Sequence, residues 1–135
     1  MSSMLYYKAR ELFLTRGLDW VTDPLKLQLI DAQQYTPSPS HIYLSEIPIG
    51  ARIHDAVELT GRTALNGTAD ADDITIVGVP ADISVGALIV YRDSGDDSTS
   101  HLVGYLNNGN GLPFISNGND IILTWNNGFN RIFGI

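Results

Sequence analysis

Gly86-Ala87-Leu88-Ile89-Val90-Tyr91-Arg92-Asp93 and His101-Leu102-Val103-Gly104-Tyr105-Leu106, joined by the polar run Ser94 to Ser100, read as the two strands of a hairpin. The first run is nearly continuous in apolar residues, as expected of a strand covered on both faces. The second is mostly apolar, with Gly104 marking a bulge or a close approach of backbone. The rest of the chain reads as material packed on this sheet or continuing it.

Working towards the N-terminus, Leu25, Leu27 and Leu29 alternate with Lys26 and Gln28, the period-2 pattern of a strand with one face on the core, ending by Asp31. Asp23-Pro24 is the turn that precedes it. Met4 to Arg16 reads as the one helix, with Leu5, Ala9, Leu12 and Phe13 on its apolar face. Gly17 is placed to end it in the left-handed region. Residues 32–42 are loop-like, Leu44-Ser45-Glu46-Ile47-Pro48 forms a helical turn, and the stretch around Ile53 to Leu59 holds one strand or two short ones. Asn66-Gly67 is a two-residue turn, and Ile74 to Val79 is a strand that Pro80-Ala81-Asp82 breaks.

Towards the C-terminus, Asn107 to Pro113 is a long turn, Phe114 and Ile115 a short piece, and Ile121 to Trp125 a strand. Phe129 to Ile135 is an apolar end. Short strands at this spacing, with Asn-Gly punctuation and one helix in front, predict a mainly β protein: an antiparallel β-sandwich or barrel with one N-terminal α-helix, in a single domain over residues 1–135.

The totals narrow the function. A chain of 135 residues can bury about two-thirds of its unfolded surface, so one core suffices without disulfides or metal. Charged residues make up 17% of it, against the roughly 25% usual in soluble domains, so the surface is carried by Asn, Ser, Thr and Gly. The net charge of −7 argues against nucleic acid as a partner. There is no cysteine, no signal-peptide pattern and no apolar run near the ~20 residues of a membrane span. Synthesis in a cytosol and no membrane partner are the expectations.

Side chains that could do chemistry have structural readings that outweigh the functional ones. Asp70 and Asp72 stand at alternate positions with Asp73 beside them, a cluster of the oxygen ligands that suit Ca²⁺, but the glycine and the bidentate Glu of an EF-hand loop are missing. Asp93, Asp96 and Asp97 are ordinary turn residues. His41, His54 and His101 lack the spacings of a zinc site, and no Gly-x-Ser-x-Gly elbow or phosphate-cradling glycine loop is present. Trp20, Trp125, Tyr91 and Tyr105 could stack on a sugar, but core packing is the readier use for them. The expectation is no catalytic residue, no metal and no cofactor.

The motifs, taken in order, resemble a family of small virion proteins of tailed bacteriophages and prophages. The resemblance covers most of the chain. It rests on the opening helix around Ala9 and Phe13-Leu14, Trp20, Lys26-Leu27-Gln28-Leu29-Ile30-Asp31 with Tyr35, and Leu44-Ser45-Glu46-Ile47-Pro48. It continues through Leu59-Thr60-Gly61-Arg62-Thr63, Gly67 to Asp73, Tyr91-Arg92-Asp93-Ser94-Gly95, Gly111-Leu112-Pro113, Asn117-Gly118 and Ile132-Phe133. The resemblance implies a non-enzymatic virion component, foremost a capsid decoration or cement protein on the head exterior. Its partners would be the major capsid protein and further copies of itself. A neck or tail component and a glycan-binding adhesion module are the alternatives. In this reading Leu5, Tyr6, Tyr7, Phe129, Ile132 and Phe133 are the candidate contact residues, with Tyr6 and Tyr7 exposed.

Overall fold

The fold is taken from a computed structural model, which describes residues 4–65, 68–107, 112, 114–123 and, for the backbone alone, 133–134. In chain order the elements are β1 (Met4–Leu5), α1 (Tyr7–Leu14), β2 (Leu25–Ile30), β3 (Arg52–Glu58), β4 (Thr63–Leu65) and β5 (Thr68–Asp70). They continue with β6 (Ile74–Ile76), β7 (Ser84–Val85), β8 (Ala87–Arg92), β9 (His101–Leu106), β10 (Phe114–Ile115), β11 (Ile121–Leu123) and β12 (Phe133–Gly134). Short 3₁₀ turns lie at Leu44–Glu46 and Ile49–Ala51. The protein is mainly β, with antiparallel pairing throughout these strands and one α-helix near the N-terminus.

The predicted hairpin lies within the largest sheet, whose order is β1-β9-β8-β2-β3. Three smaller sheets pair β10 with β7, β11 with β6, and β12 with β5 and then β4. Ala87 to Tyr91 of β8 and Leu102 to Leu106 of β9 are all buried, so the organising strands are covered on both faces as their composition indicates. The buried apolar residues of this sheet join Tyr6, Ala9, Trp20, Ile47, Ile76, Val79, Leu123 and others in one cluster.

Several local expectations change. β2 runs centrally between β8 and β3 and is buried on both faces rather than one, with even Gln28 inside. The helix spans Tyr7 to Leu14, not Met4 to Arg16, because Met4 and Leu5 pair with Tyr105 and Gly104 as a strand. Its end follows the Schellman pattern, with the Gly17 N–H donating to the Leu12 carbonyl at 2.8 Å. The left-handed residue there is Arg16 (φ 63°) and not Gly17, whose missing Cβ instead makes room for the Leu12 side chain. The strand expected over Ile74 to Val79 stops at Ile76, since Gly78 turns at φ 85°.

Other expectations hold. Leu44 to Glu46 forms its helical turn, and the chain turns at Ala81 and Asp82 (φ 65°), although the strand expected to break at Pro80 to Asp82 has already ended at Ile76. In β9 the register slips by one residue: Val90 faces Gly104 while Tyr91 faces Leu102. Val103 is the extra residue of that bulge, and its carbonyl accepts the Tyr6 N–H at 3.1 Å. Asn66-Gly67 lies outside the described residues, but the strands on either side of it pair with Leu65 opposite Thr68.

Candidate interaction surface

The N-terminal contact candidates divide sharply. Leu5 is buried in β1, and Tyr6 is 0% exposed. Both are corrections: the chain uses these side chains in its own core, since β1 closes on β9 and the bulge at Val103 draws the Tyr6 backbone inward. Tyr7 begins the helix and is 61% exposed, so it alone of the three presents a surface. Phe129 and Ile132 lie outside the described residues. Phe133 is placed by its backbone, which pairs with Ala69 of β5.

Tyr6 shows why a buried tyrosine is not a contact residue. Its hydroxyl lies 2.9 Å from that of Tyr35, which in turn lies 2.8 Å from His41 Nδ1. The Tyr35 ring leans on Tyr105 and His41, at centroid distances of 6.2 and 5.7 Å. Burial pushes the Tyr6 and Tyr35 hydroxyls up from the ordinary phenol range, so both stay protonated and act as hydrogen-bonding groups. This relay anchors the 35–41 loop to the start of α1, where the Tyr7 N–H also donates to the Pro39 carbonyl at 2.8 Å.

The other polar groups singled out in the sequence also serve the fold. His101 Nδ1 lies 3.1 Å from Arg92 Nη2, and its ring leans on Tyr43 at 5.0 Å. Desolvation by burial, then Arg92, then Lys8 hold His101 below the ordinary imidazole value. His54 is an exposed left-handed residue (φ 61°) in β3. Asp93 accepts from the Gly95 N–H at 3.0 Å and pairs with Lys26 at 3.1 Å, and these two keep its carboxyl low. Asp96 accepts from the Ser98 N–H and hydroxyl, and Asp97 pairs with Arg52 at 2.7 Å. The Asp72 carboxyl lies against Gly61, in the space a Cβ there would fill. Among the described residues no group of three His, Cys, Asp or Glu is placed to hold a metal ion. Trp20, Tyr91 and Tyr105 are buried, in keeping with core packing; Trp125 lies outside the described residues.

What faces outward is a different set. Besides Tyr7, the large apolar residues Leu14, Val21, Ile49, Leu65, Val77, Ile115 and Ile122 are well exposed. Tyr7 and Leu14 stand seven residues apart on α1, along the same side of the helix. Ile122 faces Thr75 across the β6–β11 pair, and the two are exposed together. In β4, Thr63, Ala64 and Leu65 are all exposed, with Leu65 at 70%. Leu14 was detectable from the sequence, because it falls outside the Ala9, Leu12 and Phe13 side of the helix. Ile122 and Leu65 were not, because neither a three-residue apolar run nor a short edge strand announces its outward face.

The strand edges differ in how they are guarded. One edge of the five-stranded sheet is closed twice over: β1 covers Gly104 and Tyr105, and residues 42–44 cover Ser100 to Leu102. The Leu44 N–H donates to the Ser100 carbonyl at 2.9 Å and the Leu102 N–H to the Ile42 carbonyl at 2.8 Å. The other edge, β3, is interrupted by a bulge and carries Arg52, Asp55 and Glu58. Both devices discourage addition of a foreign strand. β4 stands at the end of its three-stranded sheet, with no charged residue among Thr63, Ala64 and Leu65. Comparison with protein-family models and with curated proteins finds no match for this chain.

Proposed function

We propose that this protein is a non-enzymatic structural component of a tailed-bacteriophage virion, a decoration or cement protein that binds the head exterior and stabilises the shell. Its partners would be the major capsid protein and neighbouring copies of itself. The resemblance set out above supports the virion part of this reading. The interaction part is carried by one observation: β4 is exposed at all three residues and uncharged, whereas β1 with residues 42–44 and the bulged, charged β3 shield the edges of the main sheet. Each large apolar side chain buried in a contact contributes about 1.5–3 kcal/mol, and repetition around a shell multiplies weak contacts through avidity.

The first test is the number of copies in purified particles, measured by quantitative mass spectrometry against the major capsid subunit. A ratio near unity supports the decoration role. A few per cent moves the protein to the neck or tail, and absence from the particle refutes the virion assignment. Contact is then tested with Leu65→Lys and Tyr7→Ser, which leave the core untouched. Binding of both variants to empty heads at wild-type strength would remove these residues from the interface.

A further inference from the structure

Arg92 is the hub of a three-way clamp at the end of β8. Its Nη1 donates to the Gly17 carbonyl just beyond α1 and lies 3.4 Å from Asp23 Oδ2, while its Nη2 lies 3.1 Å from His101 Nδ1. The clamp therefore ties both ends of the 17–23 segment, which carries the buried Trp20, to the β8–β9 pair. A guanidinium has donors and no acceptor. His101 Nδ1 must then offer its lone pair, which makes the ring the neutral form with its proton on Nε2.

We propose that His101 is the proton sensor of this clamp, and that its protonation releases Arg92 and loosens the 17–23 segment. A proton on Nδ1 would set an N–H against an N–H and one cation against another, turning the third leg of the clamp from attraction to repulsion. Arg92 from β8 and Lys8 from α1 oppose protonation of the ring and the Tyr43 phenol from the segment bridged to β9 is neutral, while the carboxylates of Asp23 and Glu11 are paired with Arg92 and Lys8. Burial together with the two cations holds the ring below its usual value of 6.5. The neutral ring's contribution is accordingly complete above 6.5 and is lost as the pH falls below it. Release is local, because Arg62 still donates to the Asp23 carbonyl and Trp20 Nε1 to the Asp70 carbonyl at 3.2 Å.

Amide hydrogen exchange tests this between about pH 7.5 and 5, the range in which an imidazole titrates. The reporters are the Asp23 N–H on the Asp19 carbonyl and the Asp93 N–H on the Pro24 carbonyl, each referred to its intrinsic rate at the same pH. The expected result is loss of protection at both on acidification, with the β2–β8 amides unchanged, and no such loss in His101→Asn. Nitrogen NMR of the wild-type imidazole supplies a second reading that does not depend on the variant folding. It should show the Nε2–H tautomer at neutral pH. A proton resident on Nδ1, wild-type protection that does not change with pH, or the same loss in His101→Asn would each overturn the proposal.

Discussion

Gln28 is a polar side chain in a nearly all-apolar strand, and its partners explain its place there. Between Leu27↔Val57 and Leu29↔Ile53 the pairing of β2 with β3 loses its register, and His54, Asp55 and Ala56 bulge opposite Gln28. The carboxamide nitrogen donates to the Ile53 and His54 carbonyls, both at 2.8 Å, and so supplies donors where the ladder is interrupted. Gln28→Leu keeps the volume and removes those donors from a buried site. It should lower stability by about 1–3 kcal/mol, the cost of stranding buried acceptors. Urea unfolding that gives an unchanged midpoint would show that water replaces the amide.

At the scale of elements, bulges and helix ends set the geometry. The bulge at Val103 receives the Tyr6 N–H and so fixes where β1 passes into α1. At the other end of α1 the chain turns back through Arg16 at φ 63°, a conformation that costs a side-chain-bearing residue about 1 kcal/mol more than glycine. Arg16→Gly should therefore stabilise the protein by no more than about 0.5 kcal/mol once the greater freedom of the unfolded chain is set against the relieved strain. The check is a higher denaturation midpoint at unchanged slope; a lower midpoint would mean that the arginine side chain contributes a contact worth more than the strain. Near the middle of the chain, Glu46 caps the turn Leu44–Glu46 by accepting the Ile42 and Tyr43 N–H groups. Desolvation would raise this carboxyl, but the two backbone donors outweigh it and hold it below the ordinary value.

For the whole molecule these local preferences add up to a pH profile with two shoulders. Glu46, Asp19, Asp93 and Asp96 all have carboxyls held low by hydrogen-bond donors. Their stabilisation is present above the ordinary values of 3.8 for Asp and 4.5 for Glu, and is lost as the pH falls below these through the lowered values of the folded state. His101 acts earlier, below 6.5. On the alkaline side, burial raises Tyr6, Tyr35, Tyr91 and Tyr105 above the usual 10.0, so their neutral forms stabilise fully below that value and progressively less above it. Thermal midpoints should therefore be flat near neutrality, decline gently below 6.5, fall more steeply below about 4, and fall again above 10. Tyrosinate absorbance should rise together with unfolding on the alkaline side. Early ionisation of these four phenols in the folded protein would contradict their burial.

The β character, the hairpin of β8 and β9, the turns at Leu44 to Glu46 and Pro80 to Asp82, and the core roles of Trp20, Tyr91 and Tyr105 could all be read from the chain, because each depends on local patterning or on a large apolar residue. The central position of β2, the passage of Met4 and Leu5 into a strand, the burial of Tyr6 and the outward faces of Leu65 and Ile122 could not. Two tyrosines side by side look equivalent in sequence. Only the pairing of β1 with Tyr105 and Gly104, and the carbonyl offered by the Val103 bulge, send Tyr6 inward and leave Tyr7 outside. Sequence by itself determined the principal strands β2, β8 and β9 and the place of β3, β6 and β11, since alternation and turn residues act over a few positions. Which strand edges are closed and which side chains remain for a partner depends on neighbours distant in the chain, and only tertiary packing decides that.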